Sequence, residues 1–470
     1  VNPGWARFCQ TVAARGDHPA LLMGDQVVSL VDLGRKARRA AAALVAQGVG
    51  PGDRVILRLP NGVDAMALPA AIWAVGAVPV LVPLDLQPAA LADIAARTSP
   101  RLTLTEAPEG EAEHLGSASA DVGSIVFTSG STGRPKGVVQ RQETLIDGAE
   151  RVAQAVGFGP DDRLLSAVPW SHDYGWTQLL ALYALGVTLV LPAIPGLAGL
   201  PEAMERHRAT VLGGVPSVYA GLTRGVSDLG TRDRSSVRVV MSTGSAMPQR
   251  IWDDLGRMFP QARRVLNYGL TETFRSATLR AGDEGLAPRL VGSALQGAGL
   301  AIVGPEGQVR PAGEWGEIVH RGAGVFEGYW DDPDQTALRR RVDPVTGQGW
   351  AVFTGDRGML DDAGRLTVGD RLDRMVKVMG LAASPLAIET VLRAVPGVDA
   401  AAVVFRPHDT LGSELHAFVV GEGTQKVAEE ACRAVLAPHE RPRRFHRVDA
   451  LPLTASGKVD LVALTQEIAG

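Results

Sequence analysis

The chain has 470 residues, 46% of them hydrophobic and 21% charged, with a formal net charge of −4. Such a length exceeds one compact core and predicts two or three domains. The composition is that of a globular protein, and a mildly acidic chain without a long basic run argues against a nucleic-acid surface.

Cys9 and Cys432 lie far apart in the sequence. They are too few for a disulfide framework and lack metal-ligand spacing, so each reads as a small buried hydrophobe. From about residue 20 to 320, short Val/Leu/Ile runs alternate with Ala-rich stretches. This texture predicts a helix over 40–45, a strand over 53–59, a helix over 69–75 and strands over 79–83 and 187–192. Residues 106–120 hold few large apolar side chains and read as an exposed connection. The run over 187–192 is too short to cross a bilayer. No basic segment followed by an apolar one opens the chain, so no membrane span is expected and cytoplasmic residence is.

Strands alternating with helices predict a parallel sheet covered by helices. Near residue 370 the texture changes: 400–405 and 415–420 read as strands, 385–395 and 426–436 as helices. That is a self-contained α+β unit of about 100 residues, an ordinary domain size. The expected architecture is therefore α/β. A large multi-sheet N-terminal domain over 1–370, with helix-covered and largely parallel sheets, precedes a small α+β C-terminal domain over 371–470.

The most informative segment is Ser124-Ile-Val-Phe-Thr-Ser-Gly-Ser-Thr-Gly-Arg-Pro-Lys-Gly-Val-Val139. A strand enters it and Val138-Val139 reads as a strand leaving it. Glycine lets backbone N–H groups approach an anion, and successive N–H groups form a nest that hydroxyls and a lysine supplement. A Walker A loop does not match, because Pro135 precedes Lys136, Gly137 follows it and no helix is indicated afterwards. A plain Gly/Ser turn would account for the glycines but not for Thr128, Ser129, Ser131, Thr132 and Lys136 together. The segment reads as a phosphate cradle that also uses Gly130 and Gly133.

This loop resembles the signature loop of the adenylate-forming superfamily, which comprises acyl-CoA synthetases, amino-acid adenylation domains and luciferases. Four further segments resemble motifs of that family in the same order. Asn267-Tyr-Gly-Leu-Thr-Glu272 is similar to the adenine and metal motif, and Phe353-Thr-Gly-Asp356 to the ribose motif. Asp370-Arg-Leu-Asp-Arg-Met-Val-Lys-Val-Met-Gly380 is similar to the hinge motif, and Leu451-Pro-Leu-Thr-Ala-Ser-Gly-Lys458 to the C-terminal lysine motif.

The resemblance implies that a carboxylate attacks the α-phosphorus of ATP, releasing pyrophosphate, before the acyl group passes to a thiol. A carboxylate is already nucleophilic, so the work is positioning and charge neutralisation. Thr128, Lys136, Glu272 and Lys458 are the implied catalytic set, with Glu272 a ligand for Mg²⁺. Asn267, Tyr268, Gly269 and Thr271 are expected around the adenine, Asp356 at the ribose, and Arg371 at the ribose or a phosphate. Lys458 is implied to bridge the carboxylate and the α-phosphate. Asp373 is implied as the hinge of a mobile C-terminal domain, and Gly380 as the glycine beside a thiol tunnel. Glu389 matches the second glutamate that usually follows, whereas Ala387 stands where the first is common.

The acyl pocket is expected to involve His172, Asp173, Trp176, Gly214, Ser242, Gly244 and Leu270. A buried carboxylate at Asp173 suits a substrate ammonium, although Asp173 equally suits a cap for the helix expected over 174–185. With no carrier domain after Lys458, the thiol is expected in trans, as CoA or as the phosphopantetheine of a separate carrier protein. The partner is a small-molecule carboxylic acid: an acyl-CoA ligase is the first reading, an amino-acid or aryl-acid ligase loading a carrier protein the second. Arg441, Arg443 and Arg444 are candidates for the CoA phosphate, or a solvated face.

Overall fold

A helix that is apolar on every side has to be surrounded by protein, and two such helices set the centre of the molecule. Val63–Ala74 is buried from Ala65 to Ala74, and Asp173–Leu185 from Tyr174 to Ala184. Their aromatic side chains meet edge-on: Trp73 lies 5.9 Å from Trp176 and 5.7 Å from Tyr183, and Phe8 lies 5.1 Å from Tyr183, between ring centroids. This is the geometry that aromatic quadrupoles favour. Two polar tips are satisfied, Trp73 Nε1 donating to the Gly123 carbonyl at 2.7 Å and Tyr183 Oη to that of Met66 at 2.6 Å, whereas Trp176 Nε1 is buried without a partner among the described residues.

The structure is a computed structural model that describes residues 2–110, 121–128, 135–223, 228–288, 290–408, 410–422, 425–454 and 459–468. Packing divides the chain into two units, Val1–Ala301 with Val319–Phe353, and Ile302–Ile318 with Thr354–Gly470. No helix among the described residues is long and apolar enough to cross a membrane.

The first unit holds the α/β layers. One sheet orders the strands Gly328–Tyr329, Lys136–Arg141, Val122–Thr128, Val78–Leu81, Arg54–Leu57 and Leu102–Leu104. In the other, Arg263–Tyr268, Val239–Ser242, Val211–Gly214, Arg163–Ser166, Thr188–Leu191 and Pro19–Met23 run parallel to their neighbours. Antiparallel strands close this run at both ends. Central strands such as Thr188–Leu191 are buried at every residue, as a sheet covered on both faces requires.

In the second unit, Val398–His408 pairs antiparallel with Gly412–Gly421, which pairs parallel with Arg444–Arg447. Helices Pro385–Arg393 and Gln425–Val435 contribute Ile388, Leu392, Ala428 and Cys432 to its core. Burial pushes the Cys432 thiol up to about 11, in keeping with an inert hydrophobe; Cys9 is only half-buried.

Two differences from the sequence-based expectations have physical causes. The helix expected to start at Pro69 starts at Val63, with Pro69 inside it. A proline forfeits one helical hydrogen bond, and burial of nearly the whole helix outweighs that loss. The change of texture near residue 370 falls inside the second unit, because 354–370 packs on 302–318 far upstream. Thr354 Oγ1 donates to the Ile318 carbonyl at 2.7 Å, and the Arg357 guanidinium stacks 4.5 Å over the Trp315 ring. Hydrophobic texture along the chain carries no trace of such a distant partner.

The aromatic cluster yields a test. Trp73→Ala removes the ring shared by Trp176 and Tyr183 and is expected to cost about 3–5 kcal/mol of stability, seen as an earlier urea transition. A loss below about 1 kcal/mol would show that the cluster does not organise the core.

Candidate active site

The segment expected to cradle phosphate is framed by strand register. Strands Val122–Thr128 and Lys136–Arg141 pair antiparallel, with Thr128 opposite Lys136 and Phe127 opposite Gly137. The two ends of the loop are thus neighbours on one sheet. Ser129, Gly130, Ser131, Thr132 and Gly133 lie outside the described residues. Lys136 Nζ donates to Gln335 Oε1 at 2.7 Å and sits 5.3 Å from the centroid of the Tyr329 ring, within cation–π range. The Tyr329 hydroxyl in turn donates to Glu272 Oε1 at 2.6 Å. One tyrosine therefore carries Lys136 on its face and Glu272 at its tip.

Tyr329 is placed by the short strand Gly328–Tyr329, whose backbone pairs with Val138 and Val139. Glu272 lies in a 3₁₀ turn, Thr271–Thr273, just past the strand Arg263–Tyr268. Gln140 Nε2 donates to the Thr271 carbonyl at 2.6 Å, and the Phe326 N–H to that of Glu272 at 3.0 Å. The strand that presents Lys136 thus also grips the turn that presents Glu272. Gly269 is needed for this fold of the chain, since a Cβ there would lie 2.9 Å from Arg275 Cα.

Gly214, Ser242 and Asn267 stand at the carboxyl ends of adjacent parallel strands, Gly214 opposite Ser242 and Ser242 opposite Leu266. Such edges are where open parallel sheets bind ligands. Asn267 accepts from Thr278 Oγ1 at 2.8 Å through its side chain and from Thr243 Oγ1 at 2.9 Å through its carbonyl. Tyr268 is largely buried. Leu270 precedes the 3₁₀ turn, its N–H donating to Thr273 Oγ1 at 3.0 Å, and Gly244 follows the Val239–Ser242 strand.

His172 occupies the N-cap of the helix Asp173–Leu185, and Asp173 its first residue; the alternative expectation of Asp173 as the cap is therefore corrected. The Ser171 hydroxyl lies 3.3 Å from His172 Nδ1. A narrow cavity of about 10 Å³, room for a single water, lies against this helix, with Tyr174, Gln178, Leu164, Met241, Asn267 and Arg275 among its walls. Trp176, expected in the pocket, instead belongs to the aromatic core. Gly214, Ser242, Gly244, Leu270, His172 and Asp173 do not wall this cavity.

In the second unit, Asp356 sits opposite Arg371 across an antiparallel pair. Arg371 Nη1 donates to Asp356 Oδ1 at 3.4 Å, while its Nε and Nη2 reach Asp373 at 3.0 and 3.3 Å. The expected ribose and hinge carboxylates thus share one guanidinium. Met379 and Gly380, with φ of 54° and 80°, form the two-residue turn between Val376–Val378 and Leu381–Ala383. The left-handed backbone of such a hairpin favours glycine by itself, and a Cβ at Gly380 would meet nothing within 4 Å. Glu389 is buried, accepting from Arg374, Arg393 and the Val403 N–H. Arg441 donates to the carbonyls of Leu436 and Arg433. Lys458 lies outside the described residues.

Sequence reasoning missed Tyr329, Gln335 and Arg275. Arg275, three residues past Glu272, sits between Phe274 and Ser276 and carries no local signal of its burial. Tyr329 and Gln335 carry none.

A family model described as AMP-binding enzyme matches residues 8–124 and 113–330, and one described as AMP-binding enzyme C-terminal domain matches 387–458. The chain is 29% identical to a long-chain-fatty-acid–CoA ligase of Mycobacterium tuberculosis, over 99% of its own length and 98% of the relative's. It is 30% identical to a feruloyl-CoA synthase of an Amycolatopsis species, over 94% of each. It also matches a delta-poly-L-ornithine synthetase of Acinetobacter baumannii at 28% identity, spanning 36% of that longer protein. The crystal structure of ATP-bound MatB from Rhodopseudomonas palustris superposes with a TM-score of 0.85 at 26% identity, covering 98% of both chains.

A buried histidine makes stability depend on pH in a way that can be tested. His320 is fully buried, one ring nitrogen lies 3.0 Å from the Ala323 carbonyl, and burial lowers its pKa to about 4. The unfolded chain takes up the proton near the usual value of about 6.5, the folded chain only near 4. Stability therefore falls as pH drops through that window, by about 3 kcal/mol from this group. In His320→Gln the loss between pH 7 and pH 4 is expected to be smaller by about that amount, measured by urea unfolding at both pH values. An identical loss in both proteins would refute the assignment.

Proposed function

The chain belongs to the AMP-binding, adenylate-forming enzymes, and from that premise we propose that it is an AMP-forming acid–thiol ligase. It activates a carboxylic acid with ATP to an acyl-adenylate and passes the acyl group to CoA. The observation that carries this reading is the Lys136–Tyr329–Glu272 arrangement at the end of the strand pair where Thr128 stands opposite Lys136. A cation and an anion held apart by a rigid ring suit a polyphosphate: Lys136 pairs with its oxygens directly, and Glu272 attracts the cation that travels with it.

In the first half-reaction the substrate carboxylate attacks the α-phosphorus, the bond to the β-phosphate oxygen breaks, and pyrophosphate leaves. Lys136 and the hydroxyls of Thr128, Ser129, Ser131 and Thr132 neutralise and orient the phosphates. Lys458 bridges the attacking carboxylate and the α-phosphate. Asp356 accepts the ribose hydroxyls and is oriented by Arg371. In the second, the CoA thiol attacks the acyl carbon and AMP leaves. Names of the relatives support CoA as acceptor. The C-terminal domain carrying Lys458 turns about Asp373 between the two steps.

Mg²⁺ fits Glu272 as a hard oxygen donor. The phosphates of a bound nucleotide would supply most of its other ligands. When bound, the ion neutralises phosphate charge.

Two substitutions test the reading. Lys458→Ala is expected to abolish pyrophosphate exchange while sparing transfer from preformed acyl-AMP to CoA; full exchange in that variant sinks the role of Lys458. Tyr329→Phe keeps the ring beneath Lys136 but deletes the bond to Glu272. It is expected to raise the Mg²⁺ concentration for half-maximal rate severalfold; an unshifted Mg²⁺ titration would count against Glu272 as the ligand. A carboxylate panel assayed with CoA, and with a pantetheinylated carrier protein, decides the acceptor.

A further inference from the structure

A lysine side chain is a flexible four-carbon stem with a strongly hydrated ammonium at its tip. Unrestrained, it samples many rotamers, so a lysine that serves an anion has to be held in place. The backbone of Lys136 is fixed on both sides. The Arg97 guanidinium donates to the Pro135 carbonyl at 2.6 Å, and the Trp330 N–H to the Gly137 carbonyl at 2.7 Å. Its side chain is held as well, Nζ donating to Gln335 Oε1 at 2.7 Å and standing 5.3 Å from the Tyr329 ring centroid.

Gln335 is placed for this contact by the first turn of the helix Pro333–Arg339. Asp332 caps that helix, its carboxylate accepting from the Gln335 N–H at 3.1 Å. The next residue, Thr336, accepts from the Tyr329 N–H at 2.8 Å through its hydroxyl. One helical turn therefore fixes both groups that touch the ammonium, the amide directly and the ring through its backbone. No residue of this helix is buried, so the Gln335 side chain serves no core. Its amide oxygen is a neutral acceptor. An ammonium has three donors, and Gln335 takes one without cancelling the charge, leaving the others for phosphate oxygens. A glutamate of the same length would pair with Lys136 and compete with the phosphates.

We infer that Gln335 is a positioning residue for ATP, a neutral tether that holds the Lys136 ammonium ready for the phosphates. This rests on the phosphate role given to Lys136 in the ligase reading and adds the group that aims it. Gln335 acts through Lys136 and is not asked to touch the nucleotide. Because the tether is made before ATP arrives, the side-chain freedom of Lys136 is already lost when the phosphates bind. Removal of the acceptor therefore weakens ATP binding, and a carboxylate in its place weakens it further.

The test is MgATP binding to the full chain by calorimetry, with ATP–pyrophosphate exchange over a carboxylate panel beside it. Gln335→Met keeps the stem without the acceptor and is expected to weaken MgATP binding about threefold. In exchange this appears as a raised KM for ATP with kcat within about twofold of wild type. Gln335→Glu, equal in shape but charged, is expected to weaken binding about tenfold or more. A purely local structural role predicts the opposite order, with the polar glutamate the milder change. Lys136→Met is itself expected to weaken MgATP binding, and in that background either Gln335 substitution is expected to shift the affinity by less than about twofold. Equal affinity in wild type and Gln335→Glu overturns the inference. So does a loss in Gln335→Met as large as that in Gln335→Glu, or losses that persist beside Lys136→Met. Unchanged MgATP binding in Lys136→Met alone removes the phosphate role of Lys136, and the inference with it. The expected binding shifts without pyrophosphate exchange for any acid overturn the ligase reading and leave the tether standing. Since the helix buries no residue, both Gln335 variants are expected to keep the wild-type urea transition, measured beside each titration.

Discussion

The phenol of Tyr329 is the contact on which the first unit's site depends. A cation on the ring face and a carboxylate at the hydroxyl would, at closer range, pair with each other and neutralise both. The ring keeps Lys136 and Glu272 apart, Lys136 5.3 Å from its centroid and Glu272 2.6 Å from its hydroxyl, so each charge stays available while both are oriented. The backbone enforces the spacing. Gly328–Tyr329 pairs with the very strand that presents Lys136, and Gln140 of that strand holds the Thr271 carbonyl. Preorganisation of this kind is what electrostatic catalysis of phosphoryl chemistry asks of a protein.

The same logic of charges kept ready runs through the interior. Asp173–Leu185 is buried almost throughout, yet the cavity on its flank admits the guanidinium of Arg275. Thr243 links that guanidinium to the Asn267 carbonyl, with 2.8 and 2.9 Å hydrogen bonds on either side of one hydroxyl. The sheet edge at Asn267 is therefore joined, through Thr243 and Arg275, to the Tyr174 ring of that helix.

In the second unit a comparable economy appears at Arg371. One guanidinium reaches the carboxylates of Asp356 and Asp373, the residues assigned to ribose binding and to the hinge. Asp370, buried beside them, accepts from the Leu386 N–H at 2.7 Å and the Ser384 hydroxyl at 3.2 Å. The hinge motif is thus anchored on one side of Asp373 by a buried carboxylate. Glu389 shows that a residue matched by motif also has a local structural duty, holding Arg374, Arg393 and a strand N–H together.

The sequence by itself determined the α/β class, the family and the order of the chemistry-bearing segments. Alternating apolar runs, glycine with clustered hydroxyls, and short polar motifs are local patterns, set by backbone conformation and burial over a few neighbouring residues. Lys136, Glu272, Asp356 and Arg371 could be named because each sits in such a segment. Only the tertiary structure decided which distant side chains join them. Tyr329 lies 57 residues from Glu272 and Gln335 lies 199 from Lys136, and pairing over such separations leaves no local periodicity. It also moved Trp176 from pocket to core, placed Asp173 inside the helix rather than at its cap, and explained Gly380 by a hairpin turn.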